Sequence, residues 1–226
     1  QEGCLLLSGA LLKQKDPRSA KLLLDVLPRA MTKGRARRKE LLSLRVIMES
    51  GNFSEAMQKL NELQDGDAEW LMQVVRLKAA LLVKQKEWLP AAQAYMSLST
   101  ENLSPAARKE MYFNAALYSV QGRDRESAKR LLKSIFNHPE LKKSFALVNC
   151  VLGEMTLEEG GNFQTALKYF ERADSNSADK EVQARLLWGI GRCHHLLGDR
   201  ASASDYHYRA LSVSNDNVVR AGIFYS

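Results

Sequence analysis

Six alanines recur along the chain at intervals of 36, 35, 37, 38 and 37 residues: Ala20, Ala56, Ala91, Ala128, Ala166 and Ala203. Four residues after each stands a larger side chain: Leu24, Leu60, Tyr95, Leu132, Phe170 and His207. Three further on come Leu27, Leu63, Leu98, Ile135, Ala173 and Ala210. Steps of four and then three return to one face of an α-helix. A small residue at the first place lets a neighbouring helix come close, and the bulky ones fill the space beside the crossing. A period near 36 residues restricts the chain to an array of like supersecondary pieces.

The punctuation repeats as well. Gly51-Asn52-Phe53, Gly161-Asn162-Phe163 and Gly198-Asp199-Arg200 stand five to three residues ahead of their alanines. Gly closes a helix in the left-handed region, and Asn or Asp caps the next one. Lys15-Asp16-Pro17 and Lys86-Glu87-Trp88 hold the same place, with Pro17 suited to a first helical turn. In the fourth repeat Gly122 lies six residues ahead of Ala128, which predicts one extra residue in that turn. Before each turn lie about twelve residues of good helix formers, such as Glu40 to Glu49. No alternating strand pattern occurs. Each repeat therefore reads as helix, turn, helix, and neither helix can bury its apolar face without its neighbours.

Composition agrees. The 226 residues are 45% hydrophobic and 26% charged, with 13 Gly and 5 Pro, which excludes disordered and collagen-like chains. No apolar run reaches the roughly 18 residues needed to span a bilayer. Cys4, Cys150 and Cys193 are too far apart for a zinc spacing or a disulfide framework. Gly3-Cys4 has the ending of a lipobox without the hydrophobic stretch that should precede it. Compartment stays open between cytoplasm and a periplasmic or cell-envelope setting.

The segments Trp188 to Leu211 and Gly161 to Ala173 resemble the tetratricopeptide repeat (TPR). In the later one Ile190-Gly191 stands for the family's Leu-Gly pair and His194 for its Tyr. The resemblance implies an all-α, right-handed superhelical solenoid of six repeats plus a partial seventh, forming one domain. The repeats run over about 1–36, 37–71, 72–108, 109–146, 147–183 and 184–220, with a fragment at 221–226. Both ends read as cut, Asn217 to Tyr225 resembling the start of a seventh first helix. The chain is thus expected to be a region of a longer protein, able to self-associate through uncapped ends.

No catalytic or cofactor signature stands out. Gly189-Ile190-Gly191 lacks the third Gly and preceding strand of a dinucleotide site. Cys193-His194-His195 are adjacent on a helix, about 100° apart, and cannot converge on one metal. The expectation is a non-enzymatic, cofactor-free interaction module. In the family it resembles, the first helices line a concave groove that holds a partner segment. Carried over by helical phase, that groove comprises Arg38, Leu41, Arg45 and Met48; Arg76 and Lys84; Phe113 and Leu117; Val151 and Met155; and Arg185, Trp188 and Arg192. Arg among Met, Phe and Trp suits protein hot spots, and predicts an acidic, partly apolar protein segment, in a scaffold such as a cell-envelope or secretion assembly. The Lys and Asn set with which chaperone-binding TPR domains clamp a C-terminal carboxylate is missing.

Net charge is +7, from 33 basic and 26 acidic residues. Lys33, Arg35, Arg37, Arg38 and Lys39 concentrate five cations in seven positions. This cluster reads as a solvated turn leading into a helix that starts near Arg38, or alternatively as a nucleic-acid or polyanion contact. No aromatic residues are interleaved to stack on bases. A third possibility is a ligand-sensing TPR domain with a small molecule or peptide near Phe113 and Met155.

Overall fold

The computed structural model describes residues 1–28, 30–63, 65–160, 162–173 and 179–213. Among these it contains twelve α-helices and no strand: α1 (Glu2–Lys13), α2 (Pro17–Asp25), α3 (Lys33–Glu49), α4 (Phe53–Glu62), α5 (Ala68–Lys84), α6 (Trp88–Met96), α7 (Pro105–Gln121), α8 (Arg125–Ser134), α9 (Phe145–Glu158), α10 (Phe163–Arg172), α11 (Lys180–Leu196) and α12 (Arg200–Val213). Two short 3₁₀ turns, Ile135–Asn137 and Pro139–Ser144, join α8 to α9. None of the helices is long and apolar enough to cross a membrane. The partial seventh repeat, the end of the sixth and Gly161 lie outside the described residues.

The recurring alanines sit where the periodicity places them. Ala20, Ala56, Ala91, Ala128 and Ala166 are fully buried and Ala203 is 3% exposed. The large residue four places on is buried in five repeats, and His207 is half-buried in the sixth.

Most turns share one geometry. The left-handed residue falls five places ahead of the alanine at Lys15, Gly51, Lys86, Arg123 and Gly198. In the fourth repeat that residue is Arg123 (φ 65°), while Gly122 has φ −78°, so the expected extra residue is not there. The longer turn belongs to the fifth repeat, where Gly160 (φ 72°) lies six places ahead of Ala166. In four of the repeats the N-cap side chain then closes the start of the following helix. Asp16, Asp124, Asn162 and Asp199 each accept a backbone N–H from the residue three places on, at 2.9–3.1 Å.

The chain divides into two compact units, Gln1–Arg123 and Asp124–Ser226. In the first, Leu5, Ala20, Leu24 and Leu27 pack with Leu42 and Val46 of α3. The other side of α3 offers Leu44 and Met48 to Ala56 and Leu60 of α4 and to Trp70, Val74, Leu77 and Leu81 of α5. In the second unit, Cys150 and Leu157 of α9, Ala166 and Phe170 of α10, and Leu186, Ile190 and Cys193 of α11 form one core. Phe170 lies against two glycines: a Cβ at Gly153 would stand 2.7 Å from its ring and one at Gly189 2.4 Å. The Gly189-Ile190-Gly191 sequence is therefore a helix-packing device, with the His207 ring over Gly191 in the same way.

Ala56 and Ala166 have no room for a larger side chain. Replacing either with Leu should destabilise the fold by about 1–3 kcal/mol through overpacking, as read by urea denaturation. An unchanged midpoint would show that the alanine does not lie at a helix crossing.

Candidate functional site

Along α3, the line expected to form part of a groove is one residue wide. Arg38 and Arg45 are exposed, Leu41 is half-buried against the α3–α4–α5 core, and Met48 is 4% exposed within it. The helix is packed on both sides, by α2 and by α4 with α5, so the expected stripe runs into the core at its C-terminal end. Met48 is a core residue and not a groove residue. Met155 is too, at 6% exposure on a helix buried nearly all round, and Val151 is half-buried. The apolar share of the expected groove is reduced accordingly. Phe113 is half-buried with the Lys109 ammonium 5.8 Å from its ring, while Leu117 is 52% exposed.

The cations of this line are mostly occupied. Arg76 of α5 holds Glu110 of α7 with two parallel hydrogen bonds, Nε to Oε1 at 2.6 Å and Nη2 to Oε2 at 2.5 Å. Lys84 reaches Glu49 at 2.7 Å. Arg185 of α11 makes a matching fork onto Glu154 of α9, at 3.0 and 2.5 Å. These bonds raise the pKa of Arg76 and of Arg185 further. Arg192 lies over the Trp188 ring, 4.9 Å from its centroid. The Trp188 Nε1 is buried without a hydrogen-bond partner among the described residues. Arg45 makes no ion pair among the described residues.

The basic cluster differs from its expected form. Thr32 is the N-cap and α3 begins at Lys33, so the cations occupy the first turns of a helix instead of a turn before it. Positive charge there opposes the helix dipole, and carboxylates from neighbouring repeats offset it. Arg35 and Arg38 converge on Glu2. Arg37 pairs with Asp67 and lies 4.9 Å from the Trp70 ring centroid. Arg37 and the Trp70 N–H hold the Asp67 carboxyl below its ordinary value. Lys39 donates to the Leu27 carbonyl at 3.2 Å. Lys33 is the member of the cluster without such a partner among the described residues.

Two hollows lie in the first unit. One, about 490 Å³, separates the N-terminal parts of α5 and α7 beside the loop that precedes α7. Met72 and Leu103, both buried, provide apolar lining with Ala68, Ala106 and Ala107, while Glu69, Arg76, Asn102, Ser104 and Glu110 supply polar groups. Helices α5 and α7 each pack on α6 far more than on one another, which leaves this gap open. Further along α7, Asn114 donates to the Tyr95 hydroxyl at 3.1 Å, whose pKa burial pushes up to about 12. The other hollow, about 530 Å³, lies between α3 and the end of α4, with Met31, Leu44, Ile47 and Leu63 between Lys39, Glu40, Lys59 and Glu62. Neither hollow was legible from helical phase, because each is a gap between helices and not a face of one.

Cys193, His194 and His195 diverge. Cys193 is fully buried and burial pushes its thiol up to about 12. His194 meets Asp199 at 3.2 Å and stacks on Tyr206, and His195 is exposed. Burial also raises the Cys150 thiol well above its usual range. No group of three potential metal ligands converges among the described residues.

No family model matches the sequence, and no curated protein does. Solved structures match the fold. Apo RapI superposes with a TM-score of 0.65 at 16% identity, over 98% of this chain and 68% of that one. A structure of Pseudomonas aeruginosa pilF gives 0.56 at 18% identity, covering 97% and 94%. NprR in complex with its cognate peptide NprX gives 0.50 at 16% identity, covering 99% and 70%. The fold is TPR-like. It belongs to the helical-repeat solenoids, and at these identities the likeness concerns architecture alone.

The TPR-like stacking explains the spacing of the ion pairs. Arg76–Glu110, Lys84–Glu49 and Arg185–Glu154 join residues 34, 35 and 31 positions apart, about one repeat. A double-mutant cycle on Arg76→Ala and Glu110→Ala should give a coupling of about 0.5–1 kcal/mol, the value for a half-exposed forked pair. Zero coupling in denaturant titrations would mean that the pair is not formed in solution.

Proposed function

We propose that the chain is a non-catalytic protein-interaction scaffold that seats a segment of another protein along its first helices and thereby helps hold a larger assembly together. The observation that carries this reading is the 490 Å³ hollow between α5 and α7, with buried apolar lining and polar groups from both helices. Its volume suits one or two large apolar side chains. The polar atoms beside it can hold the backbone of an extended segment. A TPR-like neighbour whose structure contains its cognate peptide supports a peptide occupant.

The chemistry of the face modifies the partner expected from sequence. Arg76, Lys84 and Arg185 already have carboxylates of this chain, so apolar anchoring contributes more than acidity. Arg45 in the first unit and Arg192 in the second are the groups that attract a partner carboxylate. The buried thiols, kept protonated, are poor nucleophiles, in keeping with a binding role. A nucleic-acid reading loses support, because four of the five cations of the α3 cluster are engaged.

Site-specific photo-crosslinking in native lysate tests the reading. A photoreactive residue at Leu117 or Glu69 should capture a protein, whereas the same group at Lys168, on an outer face of α10, should not. Filling the hollow with Ala107→Trp should then weaken the captured partner about tenfold or more, the loss of a hot-spot anchor, with helicity unchanged. Equal capture at Lys168, or full affinity in the filled variant, would remove the site from this face. Capture of RNA or DNA in place of protein would favour the polyanion reading.

A further inference from the structure

The first hairpin departs from the other five at two places. On each second helix the positions two and six residues after the buried alanine point away from the core. Two places on stand Gln58, Gln93, Arg130, Lys168 and Asp205; six places on stand Glu62, Ser97, Ser134, Arg172 and Arg209. All ten are polar, as outward positions of a helix should be. On α2 and its C-cap the same two positions are Leu22 and Val26, 69% and 73% exposed. They lie one turn apart and form a short apolar stripe in water.

Two large apolar side chains exposed one helical turn apart mark an interaction surface.

The charges beside the stripe select its occupant. Lys21 and Asp25 lie along one edge of Leu22 and Val26, and neither makes an ion pair among the described residues. When two identical helices pack antiparallel, the same edge of each faces the other, running in opposite directions. Lys21 then stands opposite Asp25 of the partner subunit, and the two-fold axis makes the exchange reciprocal. We propose that the chain pairs with a second copy of itself through this hairpin, the two α2 helices crossing antiparallel over Leu22 and Val26.

Sedimentation equilibrium of the full chain, from nanomolar to high micromolar concentration, tests the pairing. The wild type should approach twice the chain mass. Leu22→Glu combined with Val26→Glu should stay monomeric with an unchanged far-UV spectrum. Lys21→Asp alone, or Asp25→Lys alone, places like charges opposite each other and should raise the dimer dissociation constant about tenfold. Lys21→Asp with Asp25→Lys should restore it, since the reciprocal pair is rebuilt with its signs exchanged. A wild type that remains monomeric, a dimer indifferent to Leu22→Glu with Val26→Glu, or a double exchange no better than the single changes would each overturn the proposal.

Discussion

A helix hairpin of this size cannot hide its own apolar side, and close approach at a small residue is what lets its neighbours do so. Ala20, Ala56, Ala91, Ala128, Ala166 and Ala203 each sit where a bulkier side chain would hold helices apart. The second unit takes the device further, with a phenylalanine ring against two glycines on flanking helices. Turn geometry, capping and core composition are subordinate to that spacing. Lys15, Lys86 and Arg123 accept left-handed backbone, unusual for residues with a side chain, in order to keep the alanine five places on in register.

The same stacking shapes the surface. Repeats one period apart bring cations of one first helix beside carboxylates of an adjacent one, as at Arg76–Glu110 and Arg185–Glu154. Such half-exposed pairs add little stability individually. Their larger effect is on recognition, since a paired arginine offers less to a partner's carboxylate than a free one. What remains for binding is shape: the hollow where α5 and α7 diverge, and Leu117 further along α7.

Fold and site were not equally legible in the sequence. The alanine period, the large residue four places on and the turn chemistry are local signals, and they specify helix, turn and buried face without tertiary knowledge. In the fourth turn Gly122 suggests the left-handed position and with it an extra residue, whereas Arg123 occupies that position. The groove depended on helical phase alone, which takes no account of how far each helix is enclosed. Met48 and Met155 share the phase of open positions, yet α3 and α9 are packed on more than one side there. The partners of the basic cluster were hidden for another reason: Glu2 and Asp67 are about thirty residues or more from the arginines they meet.

The strongest test of small-residue spacing sets two magnitudes against each other. By helix propensity alone, Gly189→Ala in the middle of α11 should stabilise the protein by about 1 kcal/mol. By packing, the new methyl group meets the Phe170 ring at 2.4 Å, in a core where overfilling costs about 1–3 kcal/mol. Denaturant unfolding of Gly189→Ala should show net destabilisation, and Phe170→Leu should cost less in that background than in the wild type. A Gly189→Ala protein more stable than the wild type, with no coupling to Phe170, would contradict the account.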